Sequence, residues 1–98
     1  MLNYERPAVG DPGARMLALL NSFPTLRGIM AEWDPLFLDE WACGPIPGSG
    51  AFLAAQFVLE VWNVYEPWKC GRFDFHRALY VWDAAHREVF LRWEPWYL

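Results

Sequence analysis

Only two cysteines and two histidines occur in these 98 residues, and basic groups are outnumbered by acidic ones, eight to twelve. Each scarcity excludes something. Cys43 and Cys70 stand on either side of a strongly apolar segment, so a disulfide would need both flanking loops to fold back; two unpaired thiols are expected. A zinc set drawn from Cys43, Cys70, His76 and His86 lacks the close C-x₂₋₄-C or H-x₃₋₅-H spacing that makes such sites convincing, and no metal is expected. No cofactor motif is present either. Residues 1–68 hold three basic and eight acidic groups, while Lys69, Arg72, Arg77, Arg87 and Arg92 are interleaved with Asp74, Asp83, Glu88 and Glu94. That pattern is not the basic stripe that binds nucleic acid.

Long apolar runs are missing too. The most hydrophobic stretch, residues 51–64, is broken by Gln56, Glu60 and Asn63 and falls short of the roughly 20 residues that span a bilayer, so no membrane partner is expected. The N-terminus has no basic segment followed by an apolar one, and the expected location is the cytoplasm. No segment alternates polar and apolar residues as a half-buried strand would.

What the chain does have is rings: seven Trp, seven Phe and four Tyr, within a hydrophobic fraction of 55%. Side chains of this kind collapse rather than stay solvated, and each contributes roughly 150–250 Å² of buried area, so one small domain over residues 1–98 with a tryptophan-rich core is expected. Its fold class reads as all-α, a bundle of about four to five helices. Residues 1–10, with Pro7 and Gly10, read as an extended arm.

Asp11-Pro12 places a capping carboxylate before a proline at the first helical position, and predicts a helix over 12–22 with Met16, Leu17, Leu19 and Leu20 inward. Leu26, Ile29, Met30 and Trp33 recur at helical spacing and predict a second short helix. Asp34-Pro35 repeats the first start and predicts a third, ending before Gly44. After the loop 44–50, Ser49 is the expected cap of a central helix over about 50–64. Apolar residues fall on almost every side of it, leaving Gln56, Glu60 and Asn63 as a narrow polar stripe. Asp74 is the expected cap of a long helix over about 75–93, whose inner face is Phe75, Leu79, Trp82, His86, Val89 and Trp93. An aromatic-acid-proline pattern recurs at Trp33-Asp34-Pro35, Tyr65-Glu66-Pro67 and Trp93-Glu94-Pro95, each read as helix-ending punctuation. Pro95 is expected to redirect an aromatic tail, 95–98.

Two groups stand out chemically. The Gly/Pro loop lacks the lysine and the preceding strand of a phosphate cradle, so it reads as a connector. His86 sits in the middle of an apolar face and needs a partner, for which Glu60 or Gln56 is the natural candidate. The other charged clusters read as solvated surface: His76, Asp83, Arg87 and Glu94 on one helix flank, and the acidic corner Glu32, Asp34, Asp39 and Glu40.

No motif carries a family assignment, so no activity follows from resemblance. The surplus of rings favours a non-catalytic helical module that binds a protein partner or a second copy of itself, through Tyr80, Leu91, Trp96, Tyr97 and Leu98, because interfaces favour Tyr and Trp. The alternative is a small enzyme or ligand-binding protein with Glu60 and His86 in a pocket walled by Trp62 and Trp82.

Overall fold

The computed structural model describes residues 11–97, with side chains as far as Trp93. The arm 1–10, Leu98 and the side chains of Trp96 and Tyr97 lie outside the described residues. Five helices and no strand make up the described chain: α1 Pro12–Ser22, α2 Pro35–Ala42, α3 Ser49–Trp62, α4 Phe75–Val81 and α5 Ala84–Tyr97. The protein is a small all-α bundle.

Both Asp-Pro starts form as their chemistry dictates. Asp11 Oδ1 accepts from Ala14 N at 3.0 Å, and Asp34 Oδ1 accepts from Phe37 N at 3.1 Å, so each carboxylate satisfies one of the amides that a helix start leaves unpaired. α1 buries Met16, Leu19 and Leu20, and it stops at Phe23 because Pro24 drives the residue before it into extended conformation, ψ 123°. The central helix starts at Ser49, but its cap is Gly48 with no side-chain bond, so Ser49 is the first helical residue and not the cap.

α3 is the hub. It packs against each of the other four helices and buries every residue from Leu53 to Glu60. Around it the rings of Phe23, Phe57, Phe73, Trp82 and Phe90 form one connected cluster, with Phe57 edge-on to Phe23 at 6.0 Å and to Phe90 at 5.1 Å. Leucine and alanine supply most of the buried interior, and tryptophan mainly packs against its margin. Trp82 is the one buried tryptophan among the described residues; Trp33, Trp41, Trp68 and Trp93 are half-buried and Trp62 is exposed. An indole is large and its N–H needs an acceptor, which Trp82 finds in the Gly50 carbonyl at 3.0 Å and Trp68 in the Asn63 carbonyl at 3.1 Å.

Three further expectations fail, for local reasons. Residues 26–33 are not helical. Turns run from the Phe23 carbonyl to Leu26 N and Arg27 N and from the Leu26 carbonyl to Ile29 N, and they do not propagate into a helix because Gly28 has φ +81°, which a right-handed helix cannot contain. Asn21 secures these turns by accepting Gly28 N at 2.9 Å. Leu26 is still fully buried, and Ile29, Met30 and Trp33 still pack on the core.

The helix expected over 75–93 is two helices. Trp82 takes extended conformation, ψ 140°, and Asp83 Oδ1 accepts from His86 N at 3.0 Å, so Asp83, still on the solvated surface with Arg87, caps a new helix. The break changes which residues face inward. Ala78, Trp82, His86 and Val89 are buried, whereas Phe75 and Leu79 are exposed.

α5 also continues through Pro95 to Tyr97, so Pro95 does not end it. The missing proline N–H costs the helix one bond, to the carbonyl of Leu91, near the helix end and at an exposed residue. The aromatic-acid-proline pattern therefore has no common meaning: one copy opens α2, one lies in the loop after α3, and one is inside α5.

Candidate functional site

The buried polar side chains of the hub do not face His86. They fasten the non-helical segment 69–73 between α3 and α4. From α2, Asp39 accepts Lys69 N and Cys70 N, both at 2.9 Å, and from α3, Gln56 donates Nε2 to the Cys70 carbonyl at 2.6 Å. One helical turn along, Glu60 accepts from Arg72 Nε at 2.5 Å and from Phe73 N at 3.2 Å. Asp39, Gln56 and Glu60 are each only 6% exposed. Buried carboxylates are tolerated there because each meets two donors. Gly71, with φ +85°, provides the turn that lets the segment reach both helices.

This geometry disperses the acidic corner expected from sequence. Asp34 caps α2, Glu40 pairs with Lys69, and Asp39 is a buried anchor rather than a solvated group. Among the described residues no three His, Cys, Asp or Glu side chains converge as a metal-holding group.

The same anchor brings Cys70 back to α2, on which Cys43 follows Asp39 by one turn, so the loops do fold back; both thiols are nonetheless free. Burial first, then the hydrogen bond and charge of Asp39, and then Cys43, push the Cys70 thiol up to about 12. The thiolate is the reactive form. Iodoacetamide is therefore expected to alkylate exposed Cys43 in the folded protein and to reach Cys70 only after denaturation; peptide mapping checks it, and equal labelling of both in the native state would contradict the buried anchor.

His86 is 5% exposed and finds its partners away from the hub's stripe. Its Nδ1 lies 2.8 Å from Asp83 Oδ1, and its Nε2 lies 2.8 Å from Thr25 Oγ1, in the turn after α1. Ionised Asp83 only accepts, so Nδ1 carries a hydrogen; whenever the ring holds a single proton, Nε2 presents a lone pair to which the Thr25 hydroxyl donates. The His86 backbone N–H and then its imidazole hold the Asp83 carboxyl below its ordinary value of 3.8, which keeps it ionised. Phe23 and Trp82 flank the imidazole at 5.7 and 6.0 Å between ring centres.

Glu60 and His86 thus have separate partners, and Trp62 packs edge-on against Trp33 at 5.5 Å instead of walling a pocket with Trp82. Sequence reasoning missed both Thr25 and Asp83. Asp83 carried one usable signal, that aspartate is a favoured helix cap, as at Asp74; Thr25, 61 positions from His86, carried none.

Tyr80 and Leu91 lie at the surface, 94% and 65% exposed. Leu91 contributes to a shallow concavity on α5 with Ala84, Arg87, Glu88 and Arg92. Compared with protein-family models, curated proteins and solved structures, the chain has no significant match.

Proposed function

We propose that the chain is a helical protein-protein interaction module whose partner is a second copy of itself, docked on the face formed by α4 and α5. One observation carries this reading: α4 buries only Ala78 and leaves Phe75, Leu79, Tyr80 and Val81 exposed. Four large apolar side chains on seven residues gain nothing from water, and Tyr is among the residues that anchor interfaces. Charge favours a copy of the same chain as occupant. Arg77, Arg87 and Arg92 alternate with Asp83, at the junction of the two helices, and with Glu88, and interleaved charges of both signs can complement themselves across a two-fold axis, where a rim of one sign would repel. Leu91 extends the surface along α5, and the C-terminal Trp96, Tyr97 and Leu98 belong to the same proposal.

Sedimentation velocity over a concentration series tests it. The wild-type chain is expected to dimerise, and Tyr80→Asp to weaken the dimer about 30-fold or more, as loss of a central anchor of about 2 kcal/mol implies. A wild-type monomer at the highest soluble concentration, or a Tyr80→Asp dimer as tight as wild type, sinks the reading.

A further inference from the structure

We propose that Thr25 is a nucleophile that accepts an acyl group from an activated ester, with His86 as its general base and Asp83 as the residue that positions the imidazole. Thr25 and His86 lie apart from the apolar side chains of the proposed self-association surface, and although Asp83 borders both, the acyl transfer does not depend on self-association.

Three side chains from separate parts of the chain are in line. Thr25 Oγ1, His86 Nε2, His86 Nδ1 and Asp83 Oδ1 follow one another with both gaps at 2.8 Å. This is the order of groups that activates a hydroxyl in hydrolases: a nucleophile, a base within hydrogen-bond reach, and a carboxylate that fixes the base's tautomer. The tautomer derived above is the productive one, since Nε2 is free to take a proton from the Thr25 hydroxyl.

Accessibility is divided as the chemistry requires. His86 is held inside, against Phe23 and Trp82, while Thr25 is an exposed residue at the protein surface. The turn that presents Thr25 is itself tied down, by Gly28 N on the Asn21 carboxamide and by Arg27 Nε on the Asn21 carbonyl at 3.0 Å.

The step balances without a cofactor. Thr25 Oγ1 bonds to the carbonyl carbon of the ester as its proton passes to His86 Nε2, and the Asp83 carboxylate stabilises the imidazolium. Collapse of the tetrahedral intermediate breaks the bond to the leaving oxygen, which takes the proton from Nε2. The products are acyl-Thr25 and the free alcohol. Repeating the sequence with water as nucleophile releases the acid and restores Thr25.

A histidine that merely needs two partners would have the same geometry, so the test must separate burial from chemistry. The folded full chain is incubated with p-nitrophenyl acetate, the acetylated residue is located by peptide mapping, and release of nitrophenol is followed. The expected result is one acetyl group on Thr25, the chain's single threonine. It should be absent from Thr25→Ala, retained by Thr25→Ser, and formed about 10²-fold more slowly by His86→Gln. Asp83→Asn can keep both bonds to Oδ1 and still cap α5 but removes the charge, so acetylation is expected to slow about tenfold while helix content is unchanged. The downfield Nδ1–H proton resonance should move upfield in that variant, a signature that a purely structural cap would not tie to the rate. Thr25 is exposed, so its variants test the proposal even if His86→Gln fails to fold. Acetyl groups confined to Lys69 or the N-terminus, a Thr25→Ala variant that reacts at the wild-type rate, or a folded chain that shows neither an adduct on Thr25 nor Thr25-dependent release of nitrophenol would each overturn it.

Discussion

Phe57→Ala is expected to lower the thermal midpoint by between about 12 and 40 °C, from a cost of about 3–5 kcal/mol and about 4–8 °C per kcal/mol in a domain of this size. Phe57 is fully buried at the centre of the hub and touches rings from three other segments: Phe23 after α1, Phe73 before α4 and Phe90 in α5. Truncation removes its apolar area and opens a cavity that no single neighbour can fill, because the surrounding rings are held by their own contacts. Small domains have about 5–15 kcal/mol of stability in all, so one such change consumes a large share of it. Tyr65→Ala, at a position 92% exposed, is the control and should leave the midpoint nearly unchanged. Equal midpoints for Phe57→Ala and wild type in a calorimetric scan would contradict the hub.

Asp39→Ala is the second large effect, and it acts through a different kind of interaction. It leaves the Cys70 amide buried with no acceptor and removes the acceptor of the partly buried Lys69 amide. An orphaned buried donor costs about 1–3 kcal/mol, so the pair should cost about 2–5 kcal/mol, far more than a surface carboxylate would. The exposed Glu40, which pairs with Lys69 next to it, is the comparison: Glu40→Ala should cost less than about 1 kcal/mol. The two variants separate a buried backbone anchor from an exposed ion pair a few atoms away. Urea denaturation followed by circular dichroism gives both values, and similar midpoints for the two would remove the distinction.

How far the sequence discloses this molecule depends on the range of each interaction. The Asp-Pro starts of α1 and α2 are legible because a cap and its helix are separated by three residues, and the hub is legible because a segment apolar on nearly all sides has nowhere to go but inside. Periodicity misleads at 26–33, where four residues at helical spacing do bury themselves, but on a turn that Gly28 breaks. It misleads again at 75–93, because the stripe runs unbroken through Trp82 while the backbone does not. Asp83 could have been read as a cap; nothing in the stripe required it.

The candidate site was legible in one member only. His86 stood out as an ionisable group on an apolar face, but its partner Thr25 is brought to it by tertiary folding, and the nearer guess of Glu60 or Gln56 assumed that polar groups on facing helices must meet. Asp39 shows the opposite error. It counted as part of a solvated corner because its partners are backbone amides, which leave no trace in a pattern of side chains.

The feature that organises the C-terminal half is the fastening of segment 69–73 to α2 and α3 by Asp39, Gln56 and Glu60, and hydrogen exchange measures it residue by residue. Native-state exchange should find the Cys70 amide protected almost as strongly as the central amides of α3, although it lies in no helix, and Asp39→Ala should abolish that protection while the α3 amides keep most of theirs. A Cys70 amide that exchanges as fast as an exposed loop in the wild-type protein would contradict the account.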